Sequence, residues 1–473
     1  MKRMIWRSAF CFLLATALMA QESTPGPGPG PLTLRGAVDF AAKNYPAIRA
    51  SLAEISESES AIDFAKAAYL PEATLRFDVN RATRNNVFGL SFPNGVYPGI
   101  SGPVLDEATI QSTFGSAGGM FFFWEPFDFG LREGTVGVAE AERSQAEVGR
   151  AVTEYEVSLA VVSAYRQVLA NRQAVAAAQA TVERMEVFTK TVGVLAQNQL
   201  RPGADESRAV TELAQARTEA IRAEEQARTA LATLAEKMGL AGMSIQLRPG
   251  PLLGDPPGPP GATAPIERHP LARAQQAEIA VVEARQRALK TEWRPKFELQ
   301  SAVYGRGTGA RLDGTFEGGA NGLLPSHGNW AVGFAVSFNL FDYKRNRIRK
   351  EIETHRIERE KAIEERVVQQ LLGEAARAQI ALETAREIAE NTPLELEEAR
   401  VLESQAQARY RTGLGTVLEV AEAQRLLRQA EVDDRLARLG IWRALFALAA
   451  VQGEMKELLE AARKVEGEQQ KCG

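Results

Sequence analysis

Two carboxylates, Glu419 and Glu422, stand one helical turn apart just past a tight Gly413-Leu-Gly415 turn. That spacing puts both on one helix face. Repeated by rotational symmetry, they would ring a passage with negative charge and favour cations. No catalytic constellation accompanies them. His269, His327 and His355 lie far apart in sequence and make a poor metal site. Gly305-Arg-Gly307-Thr-Gly309 has the spacing of a phosphate loop, yet more glycine-rich loop follows where a helix should open. The patterns HExxH, GxSxG and CxxC are absent. These residues point to conduction, with no enzyme activity, cofactor or metal expected.

The elements that would position them come in two copies. Residues 44–75 and 268–299 share a layout. Each opens on an aromatic-Pro step, Tyr45-Pro46 and His269-Pro270, and runs as a helix to an X-Pro stop, Leu70-Pro71 and Arg294-Pro295. Trp124-Glu-Pro-Phe-Asp-Phe129 answers Phe338-Asn-Leu-Phe-Asp-Tyr343, and Leu200-Arg201-Pro-Gly203 answers Tyr410-Arg411-Thr-Gly413. A period of about 200 residues exceeds the ~20–50 of solenoid units and reads as a duplicated domain. The first repeat spans 34–239, with strands at about 73–80 and 110–124, a long helix at about 130–198 and a tip at about 200–205. The second spans 266–453, with strands at about 296–304 and 330–341, a long helix at about 343–410 and a tip at about 411–416.

Each long helix, at 1.5 Å per residue, extends roughly 100 Å, more than an ordinary globular domain holds. The seams show coiled-coil spacing at Tyr155, Leu159, Val162, Leu169 and Ala176, and at Leu371, Ala375, Ala378, Leu382, Ala385 and Ala389. The shorter helices before the strands and after the tips sum to about one long helix, so two halves stacked end to end fit beside each full-length one.

The remaining segments set the compartment. Residues 1–20 have the charged, apolar and small-residue sections of a secretion signal. Residues 21–33 form a Pro/Gly-rich spacer, 240–265 a Pro/Gly-rich linker between the repeats and 454–473 a charged tail. Cys472 is the only cysteine outside the signal, so no internal disulfide is expected. A net charge of −4 with 25% charged residues offers no basic excess to recruit nucleic acid. No stretch beyond the signal approaches 18 uninterrupted apolar residues, so a membrane crossing would use strands.

The strands suit that use. Leu75, Phe77 and Val79 alternate with polar residues, Leu299 with Glu298 and Gln300. Trp330, Val332, Phe334, Val336 and Phe338 alternate with small ones. These nine apolar residues are the expected lipid-facing set. Four strands leave two open edges, which lipid forbids, so several chains must pool their strands. Cyclic symmetry is the expected arrangement. The long helices alone also allow an alternative, a periplasmic coiled-coil scaffold or adaptor without a pore.

The duplicated plan, together with Tyr410-Arg-Thr-Gly413-Leu-Gly-Thr-Val-Leu418-Glu419-Val-Ala-Glu-Ala423, resembles the TolC-type outer membrane efflux proteins. The resemblance implies a mainly α fold with a small β part. Three protomers would build a twelve-stranded outer membrane β-barrel, four strands each, continuing into a periplasmic α-helical barrel. It implies the channel of a tripartite efflux or type I secretion system, passively conducting substrate. Its partners would be outer membrane lipid, a periplasmic adaptor and an inner membrane transporter of the RND or ABC type. On this resemblance the adaptor-contacting tips are Leu200, Arg201, Gly203, Arg411, Gly413, Leu414, Gly415 and Thr416. The inner constriction is assigned to Tyr410, Glu419 and Glu422. One departure stands out: Gly415 occupies a place where many relatives carry a basic residue that locks the channel shut. Arg411 and Arg208 are the nearby substitutes, and closure by packing is the other route.

Overall fold

The computed structural model describes residues 30–83, 109–248, 252, 265–311, 313, 315–453, 455 and 458–460. The signal segment, the long loop at 84–108 and the centre of the inter-repeat linker lie outside the described residues.

The elements run in chain order as α1 (Leu34–Asn44), α2 (Pro46–Ala67), β1 (Glu72–Thr83), β2 (Ser112–Phe127), α3 (Leu131–Gln197) and α4 (Gly203–Lys237). The second half follows as α5 (Pro270–Ala288), β3 (Lys296–Thr308), β4 (His327–Ser337), α6 (Asp342–Arg411) and α7 (Val417–Gln452). Alternation alone places the last strand at 330–341, but β4 ends at Ser337. Phe338 therefore leaves the strand. Its ring meets Trp293 at 6.5 Å between centroids, and Tyr343 meets the same indole at 5.9 Å.

Periodicity alone reads 34–69 as one helix and 266–293 as another. Both are broken. Tyr45 and His269 take extended backbone (ψ 132° and 137°), because proline excludes the preceding residue from the helical region. At each break the partner half-helix ends on a left-handed glycine. A Cβ placed on Gly239 (φ +79°) would lie 3.6 Å from Tyr45 Cα, and one on Gly453 (φ +73°) 3.6 Å from Pro270 Cδ. The half-helices thus abut at matching points in both repeats. His269 is fully buried there. Its Nδ1 accepts from the Leu271 amide at 3.2 Å, which leaves Nε2–H to donate to the Ala450 carbonyl at 3.2 Å. Burial pulls its pKa below the ordinary histidine value, against the raising pull of Ala450 and Glu374.

Around these junctions lies the main core, built from α1, the middle of α3, the ends of α4 and α7, and Met455, Leu458 and Leu459. Tyr165 is fully buried, and its hydroxyl donates to the carbonyls of Leu32, at 3.3 Å, and Arg248. Leu32 in turn pairs with Leu247 in a parallel bridge, which ties the spacer's end to the linker's start. The tail read from composition as merely charged begins by packing inward. Met455, Leu458 and Leu459 are buried, and Glu460 pairs with Arg35. In the middle of α3, Val157, Val161, Val162, Tyr165, Val168 and Leu169 are buried, while Ala176 is exposed and Ala177 and Ala178 are buried. Four of the five expected seam residues hold, Val162 and Leu169 in the core and Tyr155 and Leu159 packed against it, and the further buried residues serve the several helices that α3 meets, α2, α4, α5 and α7.

Arg132 fastens the sheet to the helices. Its Nε bonds Asp128 at 2.7 Å, its Nη1 donates to the Ala68 carbonyl at 3.1 Å, and Nη2 donates to the Glu125 carbonyl. The guanidinium also covers the Tyr69 ring at 4.8 Å. Arg132→Ala would leave the largely buried Asp128 unpaired, and breaking such a pair costs about 3–5 kcal/mol. The expected outcome is a clear drop in the unfolding midpoint in detergent; an unchanged midpoint would show that the junction does not depend on this residue.

Candidate functional site

The two ends of the molecule carry the features of interest. At one end the strands form a single antiparallel sheet in the order β1-β2-β3-β4, so β1 and β4 are free edges. The register aligns the apolar residues of all four strands. Leu75, Met120, Val303 and Trp330 share one row, and Trp124, Leu299 and Phe334 another. The opposite face carries rows such as Arg76-Gly119-Tyr304-Asn329 and Asp78-Ala117-Arg306-His327. Paired residues on adjacent strands point to one face, so one side of the sheet carries the apolar rows and the other is mostly polar or small, with Phe121 and Phe123 of β2 as exceptions. Of the sequence-derived apolar set, Leu75, Phe77, Val79, Leu299, Trp330, Val332, Phe334 and Val336 all lie on the apolar side and are exposed in the single chain. Gly118 and Gly119 let aromatic rings lie across β2. A Cβ at Gly118 would strike Phe77, and one at Gly119 would strike Tyr304.

Nothing in the sequence showed that β2 shares this pattern through its irregular glycine cluster. The signal lies in its pairing partners. Pro126 cannot donate to the ladder, and the register with β3 shifts between Trp124 and Phe127.

At the other end both helical hairpins turn by the same device. Leu200 N–H bonds the Leu195 carbonyl (2.9 Å) and Gln199 N–H the Ala196 carbonyl (3.0 Å). Leu414 N–H bonds the Arg409 carbonyl (2.9 Å) and Gly413 N–H the Tyr410 carbonyl (3.1 Å). These are Schellman motifs, which need one left-handed residue each. Gly413 (φ +85°) supplies it at the second tip, but Gln199 (φ +59°), not Gly203, supplies it at the first. Gly203 is the first residue of α4 and has open space around it. Gly415 serves close approach instead: a Cβ there would lie 3.1 Å from Tyr410 N and 3.2 Å from Arg409 Cβ. A side chain at this position would press on the backbone of Tyr410 and on Arg409.

The two tips clasp each other through Tyr410. The Arg201 guanidinium covers the Tyr410 ring at 4.4 Å and also donates to the Tyr410 carbonyl. The Tyr410 hydroxyl donates to Asp205 at 3.3 Å, and Phe188 meets the ring edge-on at 5.3 Å. Burial, with the Asp205 charge, pushes the phenol up to about 12. Tyr410 is fully buried within one protomer, where it packs between the two tips. Arg201 is half-buried by the same contact, and Gly415 is buried. Leu200, Gly203, Arg411, Gly413, Leu414 and Thr416 remain exposed at the tips. Above the clasp, Arg184 of α3 bonds Gln424 (3.0 Å) and Glu431 (3.0 Å) of α7. Gln424 continues to Glu403 of α6. Burial raises the Glu403 carboxyl, against the lowering pull of Gln407 and the charges of Arg184 and Arg411.

Glu419 and Glu422 are exposed, and each already has work within the chain. Thr416 Oγ1 accepts from the Glu419 amide at 3.2 Å, and the Glu419 carboxylate turns back to that hydroxyl (3.4 Å) and to Arg409 (3.8 Å). The arrangement is akin to a capping box. Glu422 pairs with Arg425 at 2.6 Å, and hydrogen bonding from that guanidinium holds its carboxyl below the usual range.

Comparison with known proteins agrees with this geometry. The family model "Outer membrane efflux protein" matches residues 37–240 and 265–454, one block per repeat, and the chain belongs to that family of outer membrane efflux and secretion channels. Protein CyaE of Bordetella pertussis is 26% identical over 440 residues, covering 91% of this chain and 86% of that protein. Among solved structures, the Campylobacter jejuni CmeC outer membrane channel superposes with a TM-score of 0.69 at 14% identity, covering 91% and 89% of the two chains. The Neisseria gonorrhoeae MtrE outer membrane channel gives 0.66 at 17%, covering 89% of each. The fold is therefore that of the TolC-like channels, mainly helical with a small β part.

Proposed function

We propose that this chain forms the outer membrane duct of a tripartite export system, as a homotrimer with a twelve-stranded barrel above a periplasmic helical tunnel. One observation carries the reading. A four-stranded sheet with one continuous apolar face and two free edges stands directly above helices of 67 and 70 residues. In lipid such edges must be paired, and copies of the chain supply the partners. The eight strand residues from Leu75 to Val336 would face lipid, with Phe338 just below them at the helix junction.

Substrate would pass passively, energised by an inner membrane transporter of the RND or ABC type through a periplasmic adaptor. The exposed tip residues, Leu200, Gly203, Arg411, Gly413, Leu414 and Thr416, would contact that adaptor. Purified protein should run as a trimer and give stepwise single-channel conductance in planar bilayers. A folded, water-soluble monomer would favour the scaffold reading and sink this one.

Glu419 and Glu422 are proposed to add negative charge near the inner end, moderated by Arg409 and Arg425. Glu419→Gln with Glu422→Gln should weaken cation preference. Unchanged reversal potentials in a salt gradient would remove both residues from that role.

A further inference from the structure

Phe64, the single aromatic side chain of α2, is 83% exposed. Its position along the edge of the protomer gives it a specific partner. The helices follow the order of the strands they support: α2 packs on α3, α3 on α5 and α5 on α6, beneath β1, β2, β3 and β4. The lateral edges of one protomer are therefore β1 with α2, and β4 with α6. Ring closure by identical copies brings the first edge of one copy against the second edge of the next.

The two edges match in height. Four residues, 68–71, join α2 to β1, and four, 338–341, join β4 to α6. Phe64 lies three residues from the end of α2, about 5 Å below it at 1.5 Å per residue. Ile348 and Ile352 lie six and ten residues into α6, about 9 and 15 Å below its start. Side chains lean toward their own helix N-terminus. Since α2 climbs toward the sheet and α6 descends from it, Phe64 leans away from the sheet and the isoleucines lean toward it. The remaining offset narrows.

Ile348 and Ile352 are an i,i+4 pair, half-exposed, on the side of α6 opposite the buried Asn346, Glu353 and Glu360. On the outward face of α2, Ala53, Ser60 and Ala67 are small, and Glu57 lies about two turns below Phe64. Small residues admit a neighbouring helix closely and leave the phenyl ring as a lone knob. Charge agrees in sign. Asp63 beside Phe64 and Lys344 one turn before Ile348 carry opposite charges.

We infer that Phe64 of one copy seats against Ile348 and Ile352 of the adjacent copy, forming a knob-in-hollow seam just beneath the membrane-facing sheet. The inference rests on the trimer reading and adds the contact that sets the rotational register between copies. It is tested on the full chain in a Cys472→Ser background. Phe64→Cys combined with Ile348→Cys should give chains joined in twos and threes by a short bis-maleimide, whereas Phe64→Cys with Ile380→Cys, about eight helical turns past Ile352, should not. Phe64→Asp should lower the temperature at which the trimer dissociates, and Phe64→Leu should largely restore it. A parent protein that is trimeric by native mass spectrometry but yields no Phe64–Ile348 cross-link overturns the seam and leaves the trimer standing. A monomeric parent overturns both.

Discussion

Arg201→Ala combined with Asp205→Ala is expected to open the channel. Each residue reaches from the first tip to Tyr410 of the second, one through the ring face and carbonyl, the other through the hydroxyl. A hydrogen bond to a charged group contributes about 1.5–3 kcal/mol. A cation over an aromatic ring adds about 0.5–2. Because Arg201 is only half-buried, a net loss near 2 kcal/mol is the sober figure after solvent screening. If the clasp exists only in the closed arrangement, that loss moves the closed–open balance by roughly thirtyfold, at about 1.4 kcal/mol per tenfold. Single-channel recordings should show longer or larger openings, while Arg222→Ala, on an exposed side chain of α4 well away from the tip, serves as the control. Tyr410→Phe should reproduce only part of the effect, since the ring and the carbonyl contact stay. Conductance identical to the parent in the double variant would reject the clasp as a gate element. It would return the closure of this Gly415-bearing tip to packing alone.

Much of this arrangement is legible from the chain and some is not, for identifiable reasons. The long helices, the tip positions and the faces of β1 and β4 follow from local periodicity, which operates over a few residues. The aromatic-Pro steps at Tyr45 and His269 were equally visible, but their consequence, a broken helix meeting a left-handed glycine, needs the partner residues Gly239 and Gly453. Those lie almost two hundred residues away in the chain, beyond any local pattern. The same holds for Tyr410. A tyrosine before a glycine turn could face solvent, a passage or a neighbour, and only Arg201, Asp205 and Phe188 from the other repeat decide it. Gly415 and Gly203 look alike in sequence, yet one is a close approach and the other has open space. Gln199 in the left-handed region carries no sequence signal, because glycine was available four residues later and the turn did not use it.

Val332→Arg is expected to damage the protein far more than a substitution at the next position. Val332 belongs to the apolar side of β4, in register with Ser301 and Phe122, and is 66% exposed in the single chain. A soluble sheet with this much uncovered apolar surface would aggregate, whereas a lipid-facing wall needs it. Arginine at the middle of such a wall costs about 2–4 kcal/mol, falling toward zero near the interfaces. Ala331 points to the opposite side, in register with Ala302 and Phe121, where a polar or charged group would meet water. Ala331→Arg should therefore insert and assemble, with altered conductance at most. The contrast between neighbours is the informative quantity, because a general folding defect would affect both. Equal membrane insertion and equal trimer yield for Val332→Arg and Ala331→Arg would mean that the apolar side does not face lipid. In that case the aromatic rows would have to be covered by protein, and the free edges at β1 and β4 would lose their reason to recruit further copies.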